Sequence, residues 1–163
     1  MERRLIIMRH AQASQAEPDQ GDHERPLTSK GHKEATEIAE RLIELGWAPT
    51  QVVGSDANRT RQTWEAMTPS FDPTPPARWT KDLYLAGVDA VIETVSKIDD
   101  DVADVLLLGH NPGLQAVIAY LSGQRERLTT ANAALLHTTG ETWAETTGSQ
   151  RFELVQLLRP RSL

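Results

Sequence analysis

Two stretches of this 163-residue chain, Leu5-Ile6-Ile7-Met8 and Val105-Leu106-Leu107-Leu108, are apolar at every position rather than at alternate ones. A strand with one face in water alternates apolar and polar side chains; a strand covered on both faces does not. The two runs therefore predict central strands of a parallel sheet with helices above and below. Each stops at a polar pair or near one, Arg9-His10 after the first and Gly109-His110 after the second.

Helical periodicity fills the intervals. Ala35, Ile38, Ala39, Leu42 and Ile43 share one helix face, with Thr28 placed as N-cap and Gly46 just past the end. Gln51 to Gly54 reads as a short strand, followed by a helix over Asn58 to Met67 entered through Ser55 or Asp56. The proline-rich segment Pro69 to Pro76 reads as a surface loop. Val88 to Ile98 has helical spacing, and Asn111-Pro112 reads as the N-cap and first residue of a helix running through Leu114, Val117, Ile118 and Leu121 to Gly123. Ala133 to Thr139, Thr142 to Glu145 and Arg151 to Leu158 read as closing strands, with turns at Gly140 and Gly148. The alternation predicts a three-layer α/β/α sandwich with a mostly parallel sheet, residues 1–163 forming one domain.

Composition narrows the function. With 39% hydrophobic and 25% charged residues the chain should fold around a sizeable core. A net charge of −6, from 17 Lys plus Arg against 23 Asp plus Glu, argues against a nucleic-acid binder. The lack of cysteine excludes thiolate chemistry, Cys-ligated metals and disulfides. No apolar run approaches a membrane span or a secretory leader, so a soluble cytoplasmic protein without membrane partners is expected.

In open α/β sheets ligands bind beyond the carboxyl ends of the strands. Three such ends would converge here: Arg9-His10, the loop Ser55 to Arg59, and Gly109 to Gly113. Two histidines and two arginines at one rim of an acidic protein suit a tetrahedral dianion, with the helix after Pro112 adding its N-terminal amides. A histidine attacking phosphorus must be neutral at the attacking nitrogen, a state that adjacent Arg9 and Arg59 favour, and a backbone carbonyl on the other ring nitrogen would fix the tautomer.

The three elements in order resemble the histidine phosphatase superfamily, which includes the cofactor-dependent phosphoglycerate mutases. Leu5 to Ala11 is similar to the family's strand ending in Arg-His-Gly, with Ala11 in the glycine place. Ser55-Asp56-Ala57-Asn58-Arg59-Thr60-Arg61-Gln62-Thr63 resembles its Ser-x-x-x-Arg-x-x-Gln-Thr segment, and Leu108 to Asn111 its late Gly-His element. The short length and Asp22-His23-Glu24-Arg25-Pro26-Leu27-Thr28 look most like the SixA-type phosphohistidine phosphatases.

The resemblance implies a metal-independent phosphatase without a cofactor, in which His10 accepts the phosphoryl group and Arg9, Arg59 and His110 hold it. The substrate would be a phosphohistidine-bearing protein or a small phosphate ester. Many members use a glutamate as general acid; the nearest matches here are Asp82, in Lys81-Asp82-Leu83-Tyr84, and Asp22. Ser14, Gln12 and Asn111 could touch phosphate or merely hold their loops, and Arg61 is a weaker rival of Arg59.

Blander readings compete. A lone His10 would more often be structural; the three-part constellation reverses those odds. His23, His32 and His137 read as non-catalytic, the four tryptophans as packing anchors, and Asp99-Asp100-Asp101 as a solvated turn. Competing functions are a metal-dependent phosphoesterase using His10, His110 and an Asp, a catalytically silent phosphoprotein-binding module, and a mutase, for which the chain lacks room for covering insertions.

Overall fold

The computed structural model describes residues 1–161. Strand β1 (Glu2–Arg9) lies inside one six-stranded sheet of order β3-β2-β4-β1-β5-β6, where β2 is Gln51–Ser55, β3 Ala77–Thr80, β4 Asp104–Gly109, β5 Ala133–Thr139 and β6 Glu153–Leu158. The first four run parallel; β5 is antiparallel to β1, and β6 to β5. Helices α1 (Ser29–Glu44) and α2 (Asn58–Met67) cover one face, α3 (Val88–Ser96) and α4 (Gly113–Ser122) the other.

The unbroken apolar runs behave as two-faced strands. Leu5, Ile7, Val105 and Leu107 pack with Val91 and Val95 of α3 and Val117 and Leu121 of α4. Ile6, Met8, Leu106 and Leu108 turn the other way, onto Ile38 and Leu42 of α1 and Trp64 of α2. None of the eight strand side chains is more than 1% exposed, so each contributes roughly 1.5–3 kcal/mol of burial.

Register then sets the site. Leu5 lies opposite Val105 and Arg9 opposite Gly109, so β1 and β4 end together. Gly54 of β2 lies opposite Leu108, which brings Ser55 to the same rim. Two glycines let neighbouring segments close on that rim. A Cβ on Gly31 would fall 2.3 Å from Gln12 O, and one on Gly113 would fall 1.8 Å from Ala86 O. Thr28 caps α1 as expected, its hydroxyl accepting from Gly31 N at 3.0 Å.

Four expectations are corrected. Strand β3 was not anticipated: it is a four-residue edge strand beyond the prolines, and it pairs Gly54 with Trp79. Residues 142–145 are not a strand. Trp143, with no exposed surface, is drawn inward by bonds from its indole N to Val102 O (2.7 Å) and from its backbone N to Asp100 Oδ1 (2.8 Å), and a 3-10 turn follows at Ala144–Thr146. Asp100 is therefore a tether and not merely a solvated residue. Helix α4 starts one residue later than expected, with Pro112 as its N-cap after a cis Asn111-Pro112 bond.

Candidate active site

His10 is held by main chain on both sides: its amide donates to Gly109 O at 3.1 Å, and its carbonyl accepts from Ala131 N at 3.0 Å. The residue is only 6% exposed. Ring Nδ1 lies 2.8 Å from Ala11 O; a carbonyl can only accept, so Nδ1 carries the proton and Nε2 keeps its lone pair. Toward that lone pair Arg59 Nε donates at 3.3 Å.

Arg59 comes from the first turn of α2, fixed by Thr60 Oγ1 donating to Ser55 O at 2.6 Å and Thr63 Oγ1 to Arg59 O at 2.7 Å. Thr63 Oγ1 also accepts from Ala11 N at 3.0 Å, which ties the helix to the segment after His10. His110 places its ring centroid 5.4 Å from that of His10. Its Nε2 pairs with Ser55 Oγ at 2.7 Å, and Ser55 Oγ also accepts from Ala57 N at 3.2 Å.

Among the described residues two buried side-chain polar atoms lack a hydrogen-bond partner, Arg9 Nε and His110 Nδ1. Such orphans cost free energy in a folded protein, and both belong to this one cationic cluster. An anion with acceptor oxygens would relieve Arg9 Nε, and also His110 Nδ1 in the tautomer in which Ser55 Oγ donates to His110 Nε2. Burial foremost, with Arg59, Arg9 and Arg25 adding to it against the Ala11 bond, pushes His10 down to about 4. Burial and then Arg59 push His110 down to about 3. The arginines are thus the lesser cause of a neutral His10, and its removal from water the greater.

The structure gathers Arg9, His10, Arg59, His110 and Asp22, and leaves the other candidates outside. Asp82 is exposed, in a surface groove with Arg78, Glu93 and Lys97, because the 3-10 turn Lys81–Leu83 directs it away. Ser14 donates both its amide (2.9 Å) and its hydroxyl (3.3 Å) to Pro26 O, which closes the loop. Asn111 donates to Leu128 O at 2.6 Å and accepts from Gln115 N at 3.2 Å. That bond, and Leu114 N donating to His110 O at 3.1 Å, engage two of the helix-start amides expected to face the anion. Arg61 lies over Trp79, 5.9 Å from its ring centre, which removes it as a rival of Arg59.

Asp22 has a different character from a general acid. Oδ2 accepts from Tyr84 Oη at 2.5 Å and from Arg59 Nη2 at 3.0 Å, while Oδ1 accepts from Arg25 Nη1 at 2.8 Å. The Tyr84 bond, followed by Arg25 and Arg59, holds the carboxyl well below the usual carboxylate range despite partial burial. A carboxyl kept ionised by three donors has no proton to give at neutral pH.

Sequence reasoning missed Ser55 as the partner of His110, Arg25 as the partner of Asp22, and Tyr84. The Tyr84 ring meets His110 edge-on at 5.5 Å and His23 at 4.9 Å. His23 in turn bonds Asp56 Oδ1 at 2.8 Å, so it belongs to the rim and not to an idle loop. Tyr84 follows Asp82 by two residues, and only the undetected β3 and its turn decide which of them faces inward.

A buried imidazole, unprotonated at the nitrogen that faces the guanidiniums and set at the ends of parallel strands, defines a phosphatase that works through histidine. The chain belongs to the histidine phosphatase superfamily, branch 1, whose sequence model matches residues 5–84. It is of the SixA type: a structure assigned to phosphohistidine phosphatase SixA from Nakamurella multipartitia superimposes with a TM-score of 0.88 at 30% identity, over 99% of this chain and 98% of that one. A second, assigned to SixA from Agrobacterium tumefaciens, gives 0.82 at 25% identity over 98% and 99%. An uncharacterized chloroplastic protein of Arabidopsis thaliana is 34% identical over 98% of this chain and 79% of its own length.

Proposed function

We propose that this phosphatase is a metal-independent protein phosphohistidine phosphatase that carries the phosphoryl group on His10. The observation that supports this most directly is the His10 ring, with Nδ1 bonded to Ala11 O and the unprotonated Nε2 turned toward the Arg59 guanidinium. Nε2 attacks phosphorus in line, the bond to the leaving nitrogen breaks, and that nitrogen keeps the electron pair. Arg9, Arg59 and His110 bind the equatorial oxygens throughout, and water then hydrolyses the phosphorylated ring.

Two further observations favour a phosphohistidine protein over a small ester. The SixA neighbours are described as phosphohistidine phosphatases, and the carboxylate that meets Arg59, Asp22, is held ionised, which suits a leaving group that needs no proton from the enzyme.

The test is a brief incubation, with chelator present, with a carrier domain bearing labelled phosphohistidine and with labelled p-nitrophenyl phosphate. An acid-labile, alkali-stable adduct that disappears in His10→Ala is expected, with faster turnover of the carrier domain. No adduct and no turnover overturns the enzyme; turnover of the ester alone replaces the protein substrate by a small phosphomonoester.

A further inference from the structure

In-line attack by the enclosed His10 sends the departing group outward, toward the mouth of the site. A carboxylate joined to the site from that side is Asp22, whose side chain is 43% exposed while that of Arg59 beneath it is 4% exposed. Arg59 bridges the two, with Nε on His10 Nε2 and Nη2 on Asp22 Oδ2. A guanidinium is all that separates the attacking nitrogen from this anion.

A carboxylate offers about four acceptor positions, two on each oxygen. Tyr84 and Arg59 fill both on Oδ2, and Arg25 fills one on Oδ1, leaving one on Oδ1. Resting on the phosphatase reading above, we infer that Asp22 is a specificity-determining residue that selects the leaving group by accepting a hydrogen bond from it. The group it fits is the imidazole of phosphohistidine, protonated on the ring nitrogen that does not bear phosphorus.

The chemistry separates substrate classes. In N-phosphoimidazolium the P–N bond breaks, the pair goes to the ring nitrogen, and the ring leaves neutral, keeping the proton on its other nitrogen. That N–H is cationic before departure and bonds best to an anion. An ester instead leaves as an oxyanion that needs a proton, which ionised Asp22 does not hold, and its developing charge is repelled by Asp22. The same carboxylate assists one class and opposes the other.

Asp22→Asn and Asp22→Glu test this, with kcat/KM measured on a phosphohistidine peptide and on phenyl phosphate. Asp22→Asn loosens Arg59, so both values fall, but their ratio shifts against the peptide by about tenfold or more, the scale of one charge-assisted hydrogen bond. Asp22→Glu keeps the anion and recovers most of the ratio. An unchanged ratio overturns selection and leaves Asp22 as a clamp on Arg59. A ratio shifted against phenyl phosphate overturns it in favour of a general acid. Wild-type protein that hydrolyses phenyl phosphate but not the peptide overturns the phosphohistidine reading itself, and selection with it.

Discussion

Arg59 Nε donates to His10 Nε2 across 3.3 Å, so the guanidinium that would bind phosphate already rests on the nitrogen that would attack it. On the proposed mechanism one residue would thus both orient the nucleophile and stabilise charge on the moving group. The planar fork is what permits this, with Nε on the ring and two terminal nitrogens on Asp22. Arg59→Lys keeps the charge but loses the fork, and kcat/KM should fall about 10²- to 10³-fold, the usual scale for one oriented donor. Steady-state rates on p-nitrophenyl phosphate check it; a loss below tenfold would show that charge alone suffices.

If His10 is the nucleophile, its neutral form should set the acid limit of activity. With His10 held down to about 4, the reactive neutral form persists through the mildly acidic range, and kcat/KM should fall only as the pH drops through about 4. Stability follows the same sign. Unfolded histidines take up protons near 6.5 while His10 and His110 stay neutral to about 4 and about 3, so the unfolded state binds more protons in that window. The melting temperature should therefore drop as pH is lowered from about 6.5 toward 3, and His110→Gln should shrink the drop. A pH-independent melting temperature there would contradict the burial of both rings.

Asp82 tests the placement of the inward carboxylate. Its exposed position beside Arg78 and Lys97 predicts that Asp82→Asn changes kcat and KM by less than about twofold, within the range of ordinary surface substitutions. A hundredfold loss in steady-state assays would return it to the role of general acid.

What could be read in the sequence, and what could not, divides along physical lines. The runs Leu5 to Met8 and Val105 to Leu108 are legible because burial on both faces leaves no polar position, and the site residues at their ends inherit that certainty of place. Strand β3 is short, at the edge and half exposed, so no period announces it. With β3 unseen, Asp82 and Tyr84 cannot be ranked, since a 3-10 turn and not a repeat decides which points inward. Asp22 shows a second limit: its position was legible, but its ionisation depends on Tyr84, Arg25 and Arg59 meeting it from two distant segments and its own loop.

Gly113 is required by contact. A Cβ there would meet Ala86 O at 1.8 Å, and that atom is backbone, so α4 and the Tyr84 segment must separate. Gly113→Ala should destabilise by about 1–3 kcal/mol, as overpacking does, and should lower kcat more than Asp82→Asn does because His110 and Tyr84 lose their mutual position. Denaturant unfolding with parallel kinetics checks both parts.

Arg3 concerns the fold alone. Its side chain has no exposed surface, yet its guanidinium donates to Gly140 O (3.1 Å), Asp100 O (2.8 Å), Val102 O (2.8 Å) and Glu141 O (2.7 Å) and lies 5.3 Å from the ring centre of Trp143. Four carbonyls from two turns thus converge on one cation at the end of β1 away from His10. Arg3→Met fills much of the volume but leaves those acceptors unpaired, and the loss should be about 3 kcal/mol, near the upper part of the range for single substitutions. The denaturation midpoint should fall while kcat per folded molecule stays at the wild-type value. Equal losses of stability and kcat would mean that this network couples to the site across the sheet.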